Sequence, residues 1–134
     1  MQPKVPTSSR YAALLMGFAA LLHSLVASDL VLHFLPATPE LRALWAASVL
    51  VKALWLCFVA LGLATAILLY RAPRAGFALS VAATTCLYFA SIGLWHEIKG
   101  GFWFAIAANV LAAVGAWRAR SNNSFKPKPL RGSA

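Results

Sequence analysis

Acidic residues are almost missing from this chain: Asp29, Glu40 and Glu97 are the only three, against twelve lysines and arginines, for a net charge of +9. Charged residues of both signs make up 11% of the 134 positions and hydrophobic residues 61%, whereas a soluble domain carries about a quarter charged residues. An ordinary water-soluble domain is therefore excluded. Cysteine is scarce as well. Cys57 and Cys86 both lie inside apolar runs with no CxxC pair, so neither a disulfide framework nor a redox motif is indicated. The chain also lacks a nucleophile elbow, a phosphate loop, a dinucleotide fingerprint and a pair of haem ligands. No catalytic residues, no cofactor and no metal site are expected from it.

What the chain does have is four long apolar runs with its basic residues sorted between their two ends. Lys4, Arg10, Arg71, Arg74, Arg118, Arg120, Lys126, Lys128 and Arg131 fall on one side. Arg42, Lys52 and Lys99 share the other side with all three acids, which leaves that side nearly neutral. Under the positive-inside rule the chain crosses a bilayer four times with both termini cytoplasmic. The expected fold is all-α: an integral membrane, antiparallel four-helix bundle, N-in and C-in. Its parts are an N-terminal tail over 1–10, spans at about 11–35, 43–70, 75–95 and 101–117, and a disordered basic cytoplasmic tail over 118–134. Pro36 closes the first run, and the basic turn Arg71-Ala-Pro-Arg74 sends the third span back against the second. The positive charge is explained by orientation and anionic headgroups, so no nucleic-acid partner is expected.

A cleaved signal peptide is the rival reading of the first run, since Lys4 and Arg10 precede it and Val26-Ala27-Ser28 resembles a small-residue cleavage site. The apolar character continues through Leu30, Val31, Leu32, Phe34 and Leu35, which a signal would not need. Trp45, Trp95 and Trp103 mark the outer border, and Tyr11, Tyr70 and Trp117 the inner one. Small residues recur at helical spacing as Ala20/Ser24/Ser28, Gly62/Ala66, Ala82/Cys86/Ala90 and Ala108/Ala112/Ala116, stripes that let helix backbones approach closely.

The polar residues inside these runs are the candidate functional groups. At ~1.5 Å per residue, Asp29 lies roughly 28 Å from Arg10 and Lys52 roughly 28 Å from Arg71, matching depths near the outer edge of a ~30 Å core. The two form an interhelical ion pair or snorkel separately to the headgroups. With His33, His96 and Glu97 they make up a candidate outer polar cluster that could relay protons or bind a cation. Asp29 projects about 100° or more away from the Ala20/Ser24/Ser28 stripe, so it is expected to face another neighbour or the headgroups. Deeper in lie His23 and Asn109, the latter expected to hydrogen-bond a serine, threonine or carbonyl of another helix. His23, Cys57 and Cys86 share a level, but as a packed histidine and packing cysteines rather than as metal ligands.

The C-terminal stretch Ser121-Asn-Asn-Ser-Phe-Lys-Pro-Lys-Pro-Leu-Arg-Gly-Ser-Ala134 resembles the readthrough translation of an integron gene-cassette recombination site. The resemblance covers about a tenth of the chain and implies a bacterial gene carried on a mobile cassette, with a tail shaped by DNA recombination. Cassette genes often confer resistance, and small multidrug transporters are also four-helix proteins. Those transporters resemble one another in a membrane-embedded glutamate of the first helix, which this first run lacks. Asp29 stands at the border rather than at the midplane that alternating access needs. The expected function is that of an interaction or accessory protein without catalytic activity, whose partners are the lipid bilayer and a second copy or another membrane protein. The alternative is a proton- or cation-coupled transporter of small, drug-like molecules acting as a homodimer.

Overall fold

The computed structural model describes residues 5–98 and 100–124, with side chains as far as residue 121. Lys4, Lys99, Lys126, Lys128, Arg131 and most of the cassette-like stretch lie outside the described residues. The regular structure among the described residues is entirely helical: α1 (Thr7–Leu32), α2 (Pro39–Ala46), α3 (Val49–Arg71), α4 (Pro73–Trp95) and α5 (Gly100–Ser124). All but α2 are long and apolar enough to cross a membrane. Even the 23 residues of α3 extend about 34 Å, more than a hydrocarbon core of ~30 Å.

The four long helices close into a ring. α1 packs on α3 and α5, and α4 packs on the same two helices from the opposite side. Neighbours run antiparallel: Ala72 alone separates α3 from α4, while Ser9 and His23 of α1 meet Gly115 and Gly101 of α5 in reverse order. Three apolar layers fill the bundle. At one end Ala12, Ala13, Leu69 and Ala112 meet; in the middle Met16, Ala19, Phe58, Ala83, Leu87, Ala105 and Ala108; at the other end Leu44, Trp55 and Ala90. Outward-facing side chains are apolar too, among them Leu14, Phe18, Leu25, Leu63, Ile67, Phe89, Phe104 and Val110. In water so much exposed apolar surface would be an aggregation hazard; against lipid it is the expected exterior.

Glycine sets two of the helix approaches. A Cβ at Gly62 would come within 2.9 Å of Ala20 Cβ, where α3 crosses α1. A Cβ at Gly76 would come within 2.7 Å of the Leu69 backbone nitrogen, where α4 leaves the turn against α3. The small-residue stripe of α4 is rotated from the one read in the sequence. Ala82 is exposed and Cys86 half-buried, while Gly76, Ser80, Ala83, Thr84, Leu87, Ala90 and Ser91 face inward. One residue is 100° of helix, so adjacent small residues cannot share a face, and contact with two neighbours selects the Ala83 side.

Several boundaries also move. The run read as one span over 43–70 is two helices, broken at Ala47 and Ser48, both in extended conformation. Thr38 accepts a hydrogen bond from Leu41 N (3.3 Å), with Pro39 in the first turn and Glu40 beside it, a complete set of helix-start features. Ser48 then accepts from Val51 N (3.4 Å) to begin α3. The helical part of the first span begins at Thr7 and stops at Leu32, before Pro36. α5 continues through Ser124, so 118–124 is helical rather than a disordered tail. Arg118, Ala119 and Arg120 are good helix formers, and no proline follows until Pro127.

Candidate functional site

The end of the bundle that holds α2 carries the residues of the outer polar cluster. α1 stops because His33 takes a left-handed conformation (φ 51°), its N–H donating to Asp29 O at 3.0 Å. α4 ends the same way at His96 (φ 55°), whose N–H donates to Ile92 O at 3.0 Å. A non-glycine residue in this region costs about 1–2 kcal/mol, so each histidine marks a chain reversal held by its surroundings. His33 stacks on Trp45, ring centroids 5.3 Å apart, which ties the end of α1 to α2.

Asp29 is fully buried rather than turned out to the headgroups. The chain leaving α1 folds back over it, and Leu35 N–H donates to Asp29 Oδ1 at 2.7 Å. Ser24 and Ser28, expected on the packing stripe, instead bond the carbonyls of Leu21 and Leu25 within their own helix. The inward face over this stretch is Val26, Ala27 and Leu30, which pack on the Leu44/Trp55/Ala90 layer. Asp29 Oδ2 is buried without a hydrogen-bond partner.

Lys52 and Asp29 take separate partners. The Lys52 ammonium donates to Trp45 O at 2.7 Å, capping the last turn of α2 from the first turn of α3. That choice is local: the break at Ala47 brings the carbonyl end of α2 back over α3, and a cation is favourable at a helix C-terminus. The Asp29–Lys52 ion pair therefore does not form. Glu97 and His96 are exposed beyond the end of α4.

His23 is half-buried one layer deeper. Its Nδ1 lies 2.7 Å from Ala19 O, the geometry of a donated hydrogen bond within α1. Its ring lies 4.8 Å from that of Trp55 and 4.9 Å from that of Phe58, and Trp55 meets Trp95 edge to face at 5.8 Å. Cys57 is exposed and Cys86 half-buried, and no three His, Cys, Asp or Glu side chains converge on a metal-sized site among the described residues.

Asn109 joins α4 to α5. Ser80 Oγ donates to Asn109 Oδ1 at 2.5 Å, Asn109 Nδ2 donates to Thr84 Oγ1 at 2.7 Å, and Thr84 Oγ1 donates to Ser80 O at 2.9 Å. These polar groups satisfy one another, which an apolar surrounding demands.

Three tryptophans belong to the site, of which Trp45 and Trp95 read from sequence only as border markers. The indole nitrogens of Trp45, Trp55 and Trp95 are all buried with no hydrogen-bond partner. Trp103 and Trp117, by contrast, are exposed. The signal for this difference was the helix start at Thr38-Pro39-Glu40, which turns Trp45 from a border residue into part of a cover. No family model, curated protein or solved structure matches this chain.

Proposed function

We propose that this is a small multi-pass protein of the bacterial inner membrane, both termini cytoplasmic, that works by interaction with lipid and membrane partners rather than by catalysis. The observation that carries this reading is the middle layer of the bundle. Met16, Phe58, Ala83, Leu87, Ala105 and Ala108 are buried against one another between the two ends; of the polar groups around them, Ser80, Thr84 and Asn109 are bonded among themselves, and His23 Nδ1, whose ring lies beside Phe58, is bonded to Ala19 O. A charged solute crossing this layer would lose its water with nothing to replace it.

Coupled export by a homodimer is the second reading, and the unpartnered oxygen of Asp29 favours it, because ionisable groups buried in membranes are functional by default. Growth of an efflux-deficient bacterial host separates the two. The challenge is with cationic dyes, antiseptics, antibiotics and metal salts, beside Asp29→Asn and Lys52→Met at matched expression. The interaction reading expects no change in tolerance. Resistance that disappears in Asp29→Asn would replace it with export.

A further inference from the structure

Each of the four long helices brings an arginine to the end of the bundle opposite α2. Arg10 lies in the first turn of α1, Arg71 closes α3, Arg74 is in the first turn of α4, and Arg118 lies near the end of α5. Contacts deeper in the bundle fix their levels. Gly17 stands opposite Ala66 and Ala20 opposite Gly62, so the antiparallel register carried on toward this end brings Arg10 level with the α3–α4 turn. Asn109 bonds both Ser80 and Thr84 on α4, and the same continuation brings Arg118 level with Arg74. The meeting of Ser9 with Gly115 sets Arg118 about one turn (~5.4 Å) beyond Arg10, so the four arginines share a rim about one turn deep.

All four of these side chains are exposed, and three adjoin an exposed aromatic: Tyr11 beside Arg10, Tyr70 beside Arg71 and Trp117 beside Arg118. About one turn inward the exposed side chains are apolar, as at Leu14 and Ile67. No carboxylate among the described residues stands at this rim, because Asp29, Glu40 and Glu97 belong to the other end. Cations bordered by apolar surface fit a ligand that is anionic at one end and hydrocarbon at the other, which a nucleic acid is not. Neighbouring helices stand about 8–10 Å apart. A headgroup with two phosphates on a short bridge can therefore engage arginines of adjacent helices, and its second contact costs no further loss of free translation.

Deepening the lipid half of the reading above, on which it rests, we propose that this rim binds an anionic phospholipid with two phosphates in its headgroup, of the cardiolipin class, in the cytoplasmic leaflet. The guanidinium forks of neighbouring helices donate to the phosphate oxygens, and the acyl chains lie along the apolar exterior. Arg71 and Arg74, either side of the Ala72-Pro73 turn, are its centre.

The test uses the full chain purified in mild micelles, into which cardiolipin, phosphatidylglycerol or phosphatidylcholine is titrated, with bound lipid counted by native mass spectrometry. Cardiolipin should bind about tenfold or more tightly than phosphatidylglycerol compared at equal phosphate, and phosphatidylcholine should not be retained. Arg71→Gln and Arg74→Gln should each weaken cardiolipin binding about two- to fivefold. Arg42→Gln removes the same charge at the other end and should leave it unchanged. Cardiolipin no tighter than phosphatidylglycerol would reduce the rim to an attraction for single headgroups, and an equal loss in Arg42→Gln would reduce it to net charge. Either result overturns the proposal, as would a short RNA that displaces cardiolipin at equal phosphate. Lipid binding in micelles does not report export, so failure of the interaction reading appears separately, as resistance that disappears in Asp29→Asn.

Discussion

Replacing Asn109 with leucine removes both interhelical hydrogen bonds of the Ser80–Asn109–Thr84 group while keeping the side chain's branching and heavy-atom count. Interhelical hydrogen bonds in membranes average about 0.6 kcal/mol and reach about 1.7 kcal/mol, so two of them amount to about 1–3 kcal/mol. Thr84 keeps its bond to Ser80 O, and the Ser80 hydroxyl can turn to a carbonyl one turn back in its own helix, which moves the expectation to the lower half of that range. We expect Asn109→Leu to lower the unfolding free energy by about 1–2 kcal/mol, measured by titrating the purified protein from mild micelles into sodium dodecyl sulfate. A double-mutant cycle with Ser80→Ala isolates the pair, and the cost of Asn109→Leu should shrink when the Ser80 hydroxyl is already gone. Asn109→Leu as stable as the wild type, or strict additivity with Ser80→Ala, would refute the view that this group holds α4 to α5.

The same titration should rank substitutions at Asp29: alanine leaves Leu35 N–H unpaired and costs about 1–3 kcal/mol, asparagine keeps an acceptor and costs less, and equal costs would contradict the capping role. Gly76→Ala places a methyl against the backbone of Leu69 and should destabilise by about 1–3 kcal/mol, whereas Gly100→Ala, with nothing within 4 Å, should not crowd any neighbour. If the two behave alike, the close approach of α3 and α4 is not what limits residue 76. Lys52→Met withdraws the donor from Trp45 O, so hydrogen exchange should quicken along α2 and stay unchanged in the middle of α3 and α4. Exchange that is unaltered in α2 would show that the ammonium does not hold its last turn.

Four long apolar helices are legible in the residues alone, because hydropathy over some twenty residues depends only on composition and length. The return of the chain between α3 and α4 is legible too, since Pro73 is confined to a first helical turn there. The break at Ala47–Ser48 is harder to see. Leu41, Leu44 and Trp45 continue the apolar run past Arg42, and the helix-start residues Thr38, Pro39 and Glu40 are what betray a separate α2. Once α2 is a cover rather than the first turns of a span, Lys52 has a carbonyl close at hand and no longer needs Asp29.

Charge and hydropathy along one dimension thus decided the number of long helices and where their polar residues fall in depth. Which way each residue points was decided by packing. Depth matching placed Asp29 and Lys52 together because a linear ruler records height along an axis and not rotation about it. The burial of Asp29, the rotation of α4 onto Ala83 and Leu87, and the gathering of Trp45, Trp55 and Trp95 with buried N–H groups all depend on contacts between segments distant in sequence. Close packing satisfies those contacts jointly, so no single segment carries the information that sets them.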